Sequence, residues 1–358
     1  PRLVLVTGYS GIGKTTLVNE ICPFIKNAGG SFLQGKYDQY KRNTPYSSLI
    51  QAFDIFFNEI LVQGKDSVSE WGDRFVNALG INAGIITGIF PKLGKVIGTH
   101  KQTEAMSLAE AQNRFNTAVT GFLQTAAAKE HPLVIFLDDL QWADGSSIRL
   151  LEFILSGIEN IYILFVGAYR NNEVGQSHPL QGLINKQSRP HGSMVEIINL
   201  KPLGFEQVRE LIEEMLHNSD EKTEILARLC YEKTEGNPFF LHQFIKSIND
   251  DGIISYSSEE KKWKINMESL LEYDTTGGIA DLIVRKIEKL SEYTVGVLKI
   301  AACINNTFEA DMISKVLNVS YESVAAALGE ALREGLIVPG DSAPYQEKAG
   351  CEPDRYCF

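Results

Sequence analysis

Hydrophobic positions in the first 200 residues follow two alternating patterns. Short unbroken apolar runs, typical of strands buried on both faces, are separated by stretches in which apolar residues recur every three or four positions, as in amphipathic helices. Five strands are predicted: Leu3–Val6, Ser31–Gly35, Leu133–Leu137, Tyr162–Ala168 and Met194–Ile198. Strands that alternate with helices imply right-handed crossovers, so this pattern predicts an α/β domain of three layers with a parallel sheet.

Two helices of this part have a well-defined apolar stripe. One contains Leu49, Phe53 and Phe57, and the other begins at a capping box formed by Ser107 and Glu110. Residues 64–104 are predicted as short helices interrupted by Gly and Pro, and the pattern does not resolve them further.

From Lys201 onward the pattern becomes helical. Gly236-Asn237-Pro238 predicts a helix end, the N-cap of the next helix and its first residue. A small hairpin and several short helices closed by a strand follow, which is typical of a winged helix. The predicted domains are a core at 1–200, a helical subdomain at 201–275, a winged-helix module at 276–340 and an irregular tail at 341–358.

The loop between the first strand and the first helix carries the strongest chemical signal. It reads Gly8-Tyr9-Ser10-Gly11-Ile12-Gly13-Lys14-Thr15-Thr16 and fits the P-loop pattern G-x-x-x-x-G-K-[ST]. Glycines let backbone N–H groups face phosphate oxygens, and the helix N-terminus adds positive potential. Lys14 is expected to be solvated until it meets the β- and γ-phosphates, and the Thr15 hydroxyl to bind Mg²⁺. The alternative, a chance glycine-rich turn, does not explain the strand before the loop and the helix after it.

Two further candidates lie at the ends of predicted strands. Ligands of open α/β sheets bind at the carboxyl ends of the strands, so Asp138 and Asp139 are expected beside the P-loop. Asp138 is the candidate Mg²⁺ carboxylate, and Asp139 is a candidate to orient or deprotonate the attacking water. Arg170 ends the next strand, where its charge suits a γ-phosphate. The alternatives, surface aspartates and a surface arginine, remain open.

Composition narrows the class of protein. The 358 residues suffice for two or three domains, and 44% hydrophobic against 22% charged residues indicates a folded chain. A formal net charge of −11 argues against general nucleic-acid affinity, which needs a basic surface. Five scattered cysteines fit neither CxxC nor zinc-ribbon spacing, which indicates reduced thiols and a cytoplasmic location.

No targeting or membrane-spanning segment is predicted. The most membrane-like run, Ile81–Ile89, is too short to cross a bilayer. The chain begins without Met directly on its first strand, so we expect it to be a piece of a longer protein.

Five segments together resemble one family of ATPases: Gly8–Thr15, Gly35–Tyr40, Phe136–Asp144, Gly167–Arg170 and Gly236–Phe240. They are similar to the ATPase module of large bacterial signalling proteins, the signal-transduction ATPases with numerous domains (the STAND class) of the AAA+ superfamily. The resemblance covers essentially residues 1–340, and the string Asp138–Asp144 together with Gly236–Pro238 is more specific than the P-loop. It implies an NTPase core, a helical lid and a winged helix.

The resemblance also implies site residues and partners. Arg170 is similar to the sensor-1 arginine, and Pro238 is implied to pack near the adenine of ATP or ADP. Such modules often lie between a serine/threonine kinase domain and GAF and histidine-kinase modules, so flanking kinase and sensor domains of the same chain are the expected partners.

The chain departs from the family pattern in three ways. It lacks the segment before the first strand that helps to hold adenine, and it stops at Phe358, where related chains continue. Its second acid is Asp139, whereas vigorous AAA+ motors carry Glu. The shorter side chain sets the carboxylate back by one methylene, so slow hydrolysis is expected.

Two function classes follow. The leading one is a nucleotide switch in a signalling protein, in which ADP keeps lid and winged helix closed and ATP favours an open, self-associating form. The rival is an ATP-dependent DNA-binding activator or an origin-recognition-like ATPase. Residues 279–340 carry six Lys or Arg against eight Asp or Glu, and the helix Tyr321–Arg333 presents Glu322 and Glu330, so DNA binding is disfavoured. A metabolic kinase comes third, since no acceptor pocket is recognisable.

Overall fold

The chain forms two compact units, Pro1–Lys201 and Pro202–Phe358. A computed structural model describes residues 1–39, 44–98, 100, 107–158, 161–187, 194–258, 260–274, 284, 286–304, 307–339 and 355–357. The boundary between the units lies one residue from the predicted end of the core. No helix in the described ranges is long and apolar enough to cross a membrane.

The first unit is built on a five-stranded parallel sheet. Its strands are β1 Arg2–Thr7, β2 Ser31–Lys36, β3 Leu133–Asp138, β4 Ile163–Tyr169 and β5 Val195–Asn199. Their order is β2-β3-β4-β1-β5, and every pairing is parallel. All six residues of β3 are buried, as its apolar run predicts, whereas four of the five residues of the edge strand β5 are exposed.

Side chains of alternate sheet residues enter two separate cores. On one face, Ile135 and Leu137 pack with apolar side chains such as Phe53 and Leu151, and on the other Val134 and Phe136 pack around Val18. This arrangement confirms the predicted three-layer α/β fold. The helices of this unit are α1 Lys14–Asn19, α2 Cys22–Asn27, α3 Ser47–Val62, α4 Lys65–Leu79, α5 Ala83–Ile89, α6 Gly94–Ile97, α7 Leu108–Ala126, α8 Gly145–Gly157 and α9 Pro179–Gln187.

The segment that the pattern left unresolved contains a long helix. The prediction of only short helices is wrong for α4, which runs unbroken for 15 residues. Gly72 lies inside this helix, and a Cβ at this position would lie 3.0 Å from the carbonyl oxygen of Val96. This glycine therefore allows close packing of α4 against the chain at Val96 and does not end the helix.

The second unit begins with a helical part that has its own core. It consists of α10 Phe205–Leu216, α11 Glu221–Thr234, α12 Pro238–Asp250, β6 Ile254–Ser257, β7 Lys262–Ile265 and α13 Met267–Asp274. Strands β6 and β7 pair antiparallel as the predicted hairpin. Asn237 is the N-cap of α12, and its side chain accepts a hydrogen bond from the backbone N–H of Phe239 at 3.1 Å.

The C-terminal elements form a separate small core. They are α14 Glu292–Ile304, β8 Thr307–Glu309, α15 Ala310–Leu317, α16 Tyr321–Arg333, β9 Val338–Pro339 and β10 Arg355–Cys357, with sheet order β8-β10-β9. Helix, strand, two helices and two strands is an order compatible with the predicted winged helix. The sequence also predicts a helix at 279–290, and half of these residues lie outside the described ranges.

The C-terminal tail is not wholly irregular, and the prediction for residues 341–358 is wrong in this respect. Strand β10 pairs antiparallel with both β8 and β9. Tyr356 is 1% exposed and stacks on Phe308, with ring centroids 6.0 Å apart. A strand of three residues is too short to leave a recognisable period in the sequence.

Candidate functional site

The P-loop joins β1 to α1 in the conformation that the motif requires. Gly13 has φ 91°, a left-handed value that favours glycine. Gly8 is needed for a different reason, because a Cβ there would lie 2.8 Å from the carbonyl oxygen of Leu200. Tyr9, Ser10 and Thr16 are exposed, whereas Ile12 is buried and anchors the loop.

Lys14 is not the solvated side chain that the sequence suggested. It is buried, and its Nζ donates hydrogen bonds to the carbonyl oxygens of Gly8 at 2.9 Å and Tyr9 at 2.8 Å. Burial lowers the pKa of Lys14, and the positive charge of Arg170 lowers it further. The ammonium therefore lies inside the loop and within electrostatic range of the arginine.

Thr15 and Asp138 meet although 123 positions separate them in the sequence. Thr15 Oγ1 donates to Asp138 Oδ2 at 3.0 Å, and the backbone N–H of Asp139 donates to Asp138 Oδ1 at 2.9 Å. Burial raises the pKa of Asp138, and the charge of Asp139 raises it further. A hydroxyl beside a buried carboxylate fits Mg²⁺, because the cation would offset the burial of the negative charge.

Asp139 has a different environment from its neighbour. It is the first residue after β3, with φ 55°, and its side chain is nearly buried. Its Oδ1 accepts a hydrogen bond from Gln141 Nε2 at 2.8 Å, and its Oδ2 lies 3.4 Å from Lys36 Nζ. Arg170 Nε is 3.9 Å from Oδ1. Both carboxylate oxygens thus face protein donors or cations.

Arg170 lies immediately after β4, as the strand prediction requires. Its Nη1 donates to Glu173 Oε1 at 2.9 Å, and its guanidinium carbon lies 5.3 Å from the centre of the Trp142 ring. The backbone N–H of Arg170 donates to Gln141 Oε1 at 3.2 Å. The arginine is therefore part of an ordered polar cluster and is not a free surface side chain.

Four residues of this cluster were not predicted as site residues: Lys36, Gln141, Trp142 and Glu173. Gln141 and Trp142 belong to the Asp138–Asp144 string that carries the family resemblance, which is a signal that could have found them. Lys36 lies in the Gly35–Tyr40 segment of the same resemblance. Glu173 has no such signal, since only the adjacency of the ends of β3 and β4 brings it to Trp142.

Pro238 belongs to the second unit, where it begins α12. The preceding Gly236 has φ 70°, and a Cβ there would lie 1.9 Å from the carbonyl oxygen of Leu203. The turn before Pro238 therefore has a structural role in its own unit. The contact between Pro238 and adenine stays a prediction.

Metal-binding chemistry at the site depends on the Thr15–Asp138 pair. In the part of the chain that the structure describes, no group of three or more His, Cys, Asp or Glu side chains is arranged to hold a metal ion.

Comparison with known proteins gives a family match for the first part of the chain. Residues 1–166 match the family described as AAA ATPase domain. This range contains the P-loop, Thr15, Asp138 and Asp139, and it ends within β4.

Two curated relatives align with 94% of the chain. Hybrid signal transduction histidine kinase G of Dictyostelium discoideum is 28% identical, and peroxide stress-activated histidine kinase mak3 of Schizosaccharomyces pombe is 21% identical. Both organisms are eukaryotes, whereas the resemblance named above is to bacterial proteins. The chain spans only 11% and 16% of these relatives' lengths.

Among solved structures, a STAND protein with a tetratricopeptide repeat sensor from Pyrococcus horikoshii is similar. It is 18% identical, with a TM-score of 0.44, over 99% of this chain and 38% of that chain.

Proposed function

Residues 1–166 match the AAA ATPase domain family, and from this match we propose that the chain is a nucleotide switch that binds ATP and Mg²⁺ and hydrolyses ATP slowly. The observation that carries the proposal is the contact between Thr15 and Asp138. It brings the hydroxyl of the P-loop and the acid of a distant strand to one point, next in sequence to Lys14, whose ammonium lies inside the loop. A P-loop ATPase needs these three groups together to bind phosphates and a metal ion.

Within this proposal each predicted residue has one task. The backbone of Gly8–Thr16 faces the phosphates, Lys14 contacts the β- and γ-phosphates, and Thr15 and Asp138 hold Mg²⁺. Asp139 orients or deprotonates the attacking water. Arg170 contacts the γ-phosphate, and Pro238 packs near adenine.

The environment of Asp139 supports slow hydrolysis. A general base must be free to accept a proton from water, but the oxygens of Asp139 face Gln141, Lys36 and Arg170. The Asp side chain is also one methylene shorter than the Glu of AAA+ motors. Both features suit a switch that stays in its ATP form for a long time.

The names of the relatives support a role in signalling. Both are histidine kinases, and the chain corresponds to a small part of each. We propose that flanking kinase and sensor domains of the same chain are its partners, and that ATP favours an open form that self-associates in the cytoplasm.

DNA binding is the second candidate function, favoured by the order of elements in the C-terminal part. The exposed residues of α16 argue against DNA binding, because only one of them is a basic residue. They are Glu322, Ser323, Ala326 and Arg333. A helix that reads DNA needs several basic or amide side chains. Glu330 does not serve that argument as the sequence suggested, because its carboxylate is engaged with Ser291 and Thr294.

The proposal predicts that Lys14→Ala weakens Mg-ATP binding by about ten- to a hundredfold, the range expected for a lost charge-assisted contact. Calorimetric titration with Mg-ATP measures the change. Because Lys14 also bonds two loop carbonyls, thermal melting of the variant must accompany the titration. Lys65→Ala, at an exposed lysine that begins α4, is the matched control. Wild-type affinity in a folded Lys14→Ala variant would refute the P-loop assignment.

A further inference from the structure

The guanidinium of Arg170 is held by two residues that have no assigned task. Glu173 accepts from Arg170 Nη1 at 2.9 Å through Oε1 and from Trp142 Nε1 at 3.1 Å through Oε2. Trp142 in turn stacks under the guanidinium, with 5.3 Å between the guanidinium carbon and the ring centre. One carboxylate therefore fixes both the arginine and the ring on which the arginine rests.

Short turns set the positions of these residues. Trp142 ends the turn Leu140–Trp142 after β3, where its N–H donates to the carbonyl oxygen of Asp139 at 2.9 Å. Glu173 ends the turn Asn171–Glu173 after β4, where its N–H donates to the carbonyl oxygen of Arg170 at 3.0 Å. The backbone at two adjacent strand ends thus brings Trp142 and Glu173 close to each other.

Arg170 lies next to the start of the P-loop through the strand order. It follows Tyr169, the last residue of β4, which pairs with Thr7 of β1 directly before the P-loop. Its Nε is 3.9 Å from Asp139, which is beyond a good hydrogen bond, whereas its bond to Glu173 is short. The guanidinium is therefore committed to Glu173 and only loosely to the acids of the site.

We propose that Glu173 and Trp142 form a resting dock for Arg170, and that the γ-phosphate of ATP must draw the guanidinium away from this dock. The inference rests on the proposed function, and it adds the element that sets the ratio of ATP to ADP affinity. ADP offers no γ-phosphate, so it leaves Arg170 docked. ATP gains a contact with Arg170 but loses the pair with Glu173 and the stack on Trp142, so its net advantage over ADP is reduced.

This competition predicts the direction of a mutational effect. In Glu173→Gln the shape of the side chain is kept but its charge is removed, so the dock weakens and Arg170 is released at lower cost. A nonhydrolysable ATP analogue then binds more tightly, while ADP binding is unchanged. Side-chain exposures of 31% for Arg170 and 30% for Glu173 indicate a partly screened pair. We expect the ratio of ADP to analogue dissociation constants to rise about three- to tenfold.

The chain offers a matched control for this experiment. On α4, Glu70 pairs with Arg74, and the Arg74 guanidinium carbon lies 5.2 Å from the centre of the Trp71 ring. Glu70→Gln therefore disrupts an arrangement of the same three residue types that lies on another element. The dissociation constants of ADP and of the analogue, each with Mg²⁺, are measured calorimetrically for the 358-residue chain, Glu70→Gln and Glu173→Gln.

The outcomes separate the two claims. Failure of wild type and Glu70→Gln to bind either nucleotide would overturn the proposed function together with the dock. If both bind, a raised ratio in Glu173→Gln alone supports the dock. An unchanged ratio overturns the dock and leaves the proposed function intact. A lowered ratio also overturns it, because Glu173 would then be aiding ATP binding.

A second measurement detects the release of the arginine itself. The chain contains three Trp residues, so 5-fluorotryptophan labelling gives three fluorine resonances, and the Trp142 resonance is assigned with Trp142→Phe. The analogue is expected to shift the Trp142 resonance, ADP to leave it in place, and Glu173→Gln to shift it without nucleotide. The Trp71 resonance is the internal reference. A Trp142 resonance that stays unmoved when the analogue is bound would contradict the dock.

Discussion

At the scale of single residues, the site separates two adjacent carboxylates by their surroundings. Asp138 ends a buried strand and shares a hydrogen bond with Thr15, whereas Asp139 adopts a left-handed backbone conformation and turns toward Lys36, Gln141 and Arg170. Neighbouring groups with such different environments are suited to different tasks. One fits metal binding, and the other fits a role in positioning water or the arginine.

This difference predicts different effects of the same substitution. Asp138→Asn should lose the Mg²⁺ dependence of nucleotide binding, because the metal loses its charged ligand. Asp139→Asn should bind Mg-ATP within about threefold of wild type but turn it over at least about tenfold more slowly, since its contribution belongs to the transition state. Nucleotide titrations with and without Mg²⁺, together with single-turnover hydrolysis, measure both. Equal losses of affinity in the two variants would contradict the division of tasks.

The sequence predicts those site residues that a local pattern contains. Lys14 and Thr15 follow from the spacing of one loop, and Asp138 follows from an apolar run that ends in an acid. Lys36 and Glu173 do not follow from such a pattern, because Lys36 ends β2 and meets Asp139 after β3, and Glu173 follows β4 and meets Trp142 after β3. Contacts between strand ends are a property of the topology.

At the scale of elements, one glutamate connects two helices of the C-terminal part. Glu330 of α16 accepts hydrogen bonds from the backbone N–H of Ser291 at 3.0 Å and from the Ser291 hydroxyl at 3.1 Å. It also accepts one from the hydroxyl of Thr294. The bonds from Thr294 and Ser291 lower the pKa of Glu330. The carboxylate thus stabilises the N-terminal end of α14.

A pH-dependent stability follows from this lowered pKa. Because the folded pKa of Glu330 lies below its unfolded value, the ionised carboxylate stabilises the fold above the unfolded pKa, near 4.5. That contribution is lost as the pH falls through the folded pKa. Glu330→Gln should therefore melt at a lower temperature than wild type at pH 7, and the difference should shrink toward pH 3.

Thermal melting followed by circular dichroism at both pH values tests this expectation. Glu210→Gln, at an exposed position within α10, controls for the loss of one negative charge. If the melting temperatures of wild type and Glu330→Gln differ by the same amount at pH 7 and pH 3, the ionised carboxylate does not stabilise the fold.

The sequence predicts a helix or strand correctly where its hydrophobic pattern is long. The prediction fails where contacts with distant parts of the chain determine the element. The strands β1, β3 and β4 and the helix α7, whose N-cap Ser107 accepts from the N–H of Glu110 at 3.2 Å, were predicted from their own residues. Helix α4 was missed because Gly72 serves packing, and β10 because its residues pair with strands from elsewhere in the chain. Local sequence carries no record of such distant neighbours.

At the scale of the whole molecule, the two units must respond to one chemical group if the chain is a switch. ADP and ATP differ at the γ-phosphate, so a difference in domain arrangement must come from protein groups that contact it. A ligand shifts an equilibrium only by its differential affinity for the two states. In the described site Arg170 is the cation at the end of β4 that suits this contact. Pro238, in the other unit, is the proposed contact at the adenine end.

The free energy expected from a contact between Arg170 and the γ-phosphate is large enough for a switch. A charge-assisted hydrogen bond contributes about 1.5–3 kcal/mol, and the partial exposure of Arg170 favours the lower end of that range. About 1.4 kcal/mol corresponds to a tenfold shift in population, so a shift of roughly ten- to a hundredfold is available. This suffices to exchange a resting form for an active one, but not to drive mechanical work.

Arg170→Ala should therefore bind ADP nearly as wild type does, yet fail to change shape or self-associate with a nonhydrolysable ATP analogue. Small-angle scattering and sedimentation velocity of both proteins, each with ADP and with the analogue, measure the response. Arg74→Ala controls for the loss of charge and stacking, because Arg74 of α4 also pairs with a Glu (Glu70) and lies over a Trp ring (Trp71). If Arg170→Ala responds to the analogue as wild type does, the γ-phosphate is sensed by another group. Lys14 is then the next candidate, because its ammonium lies inside the P-loop, where it bonds the carbonyl oxygens of Gly8 and Tyr9.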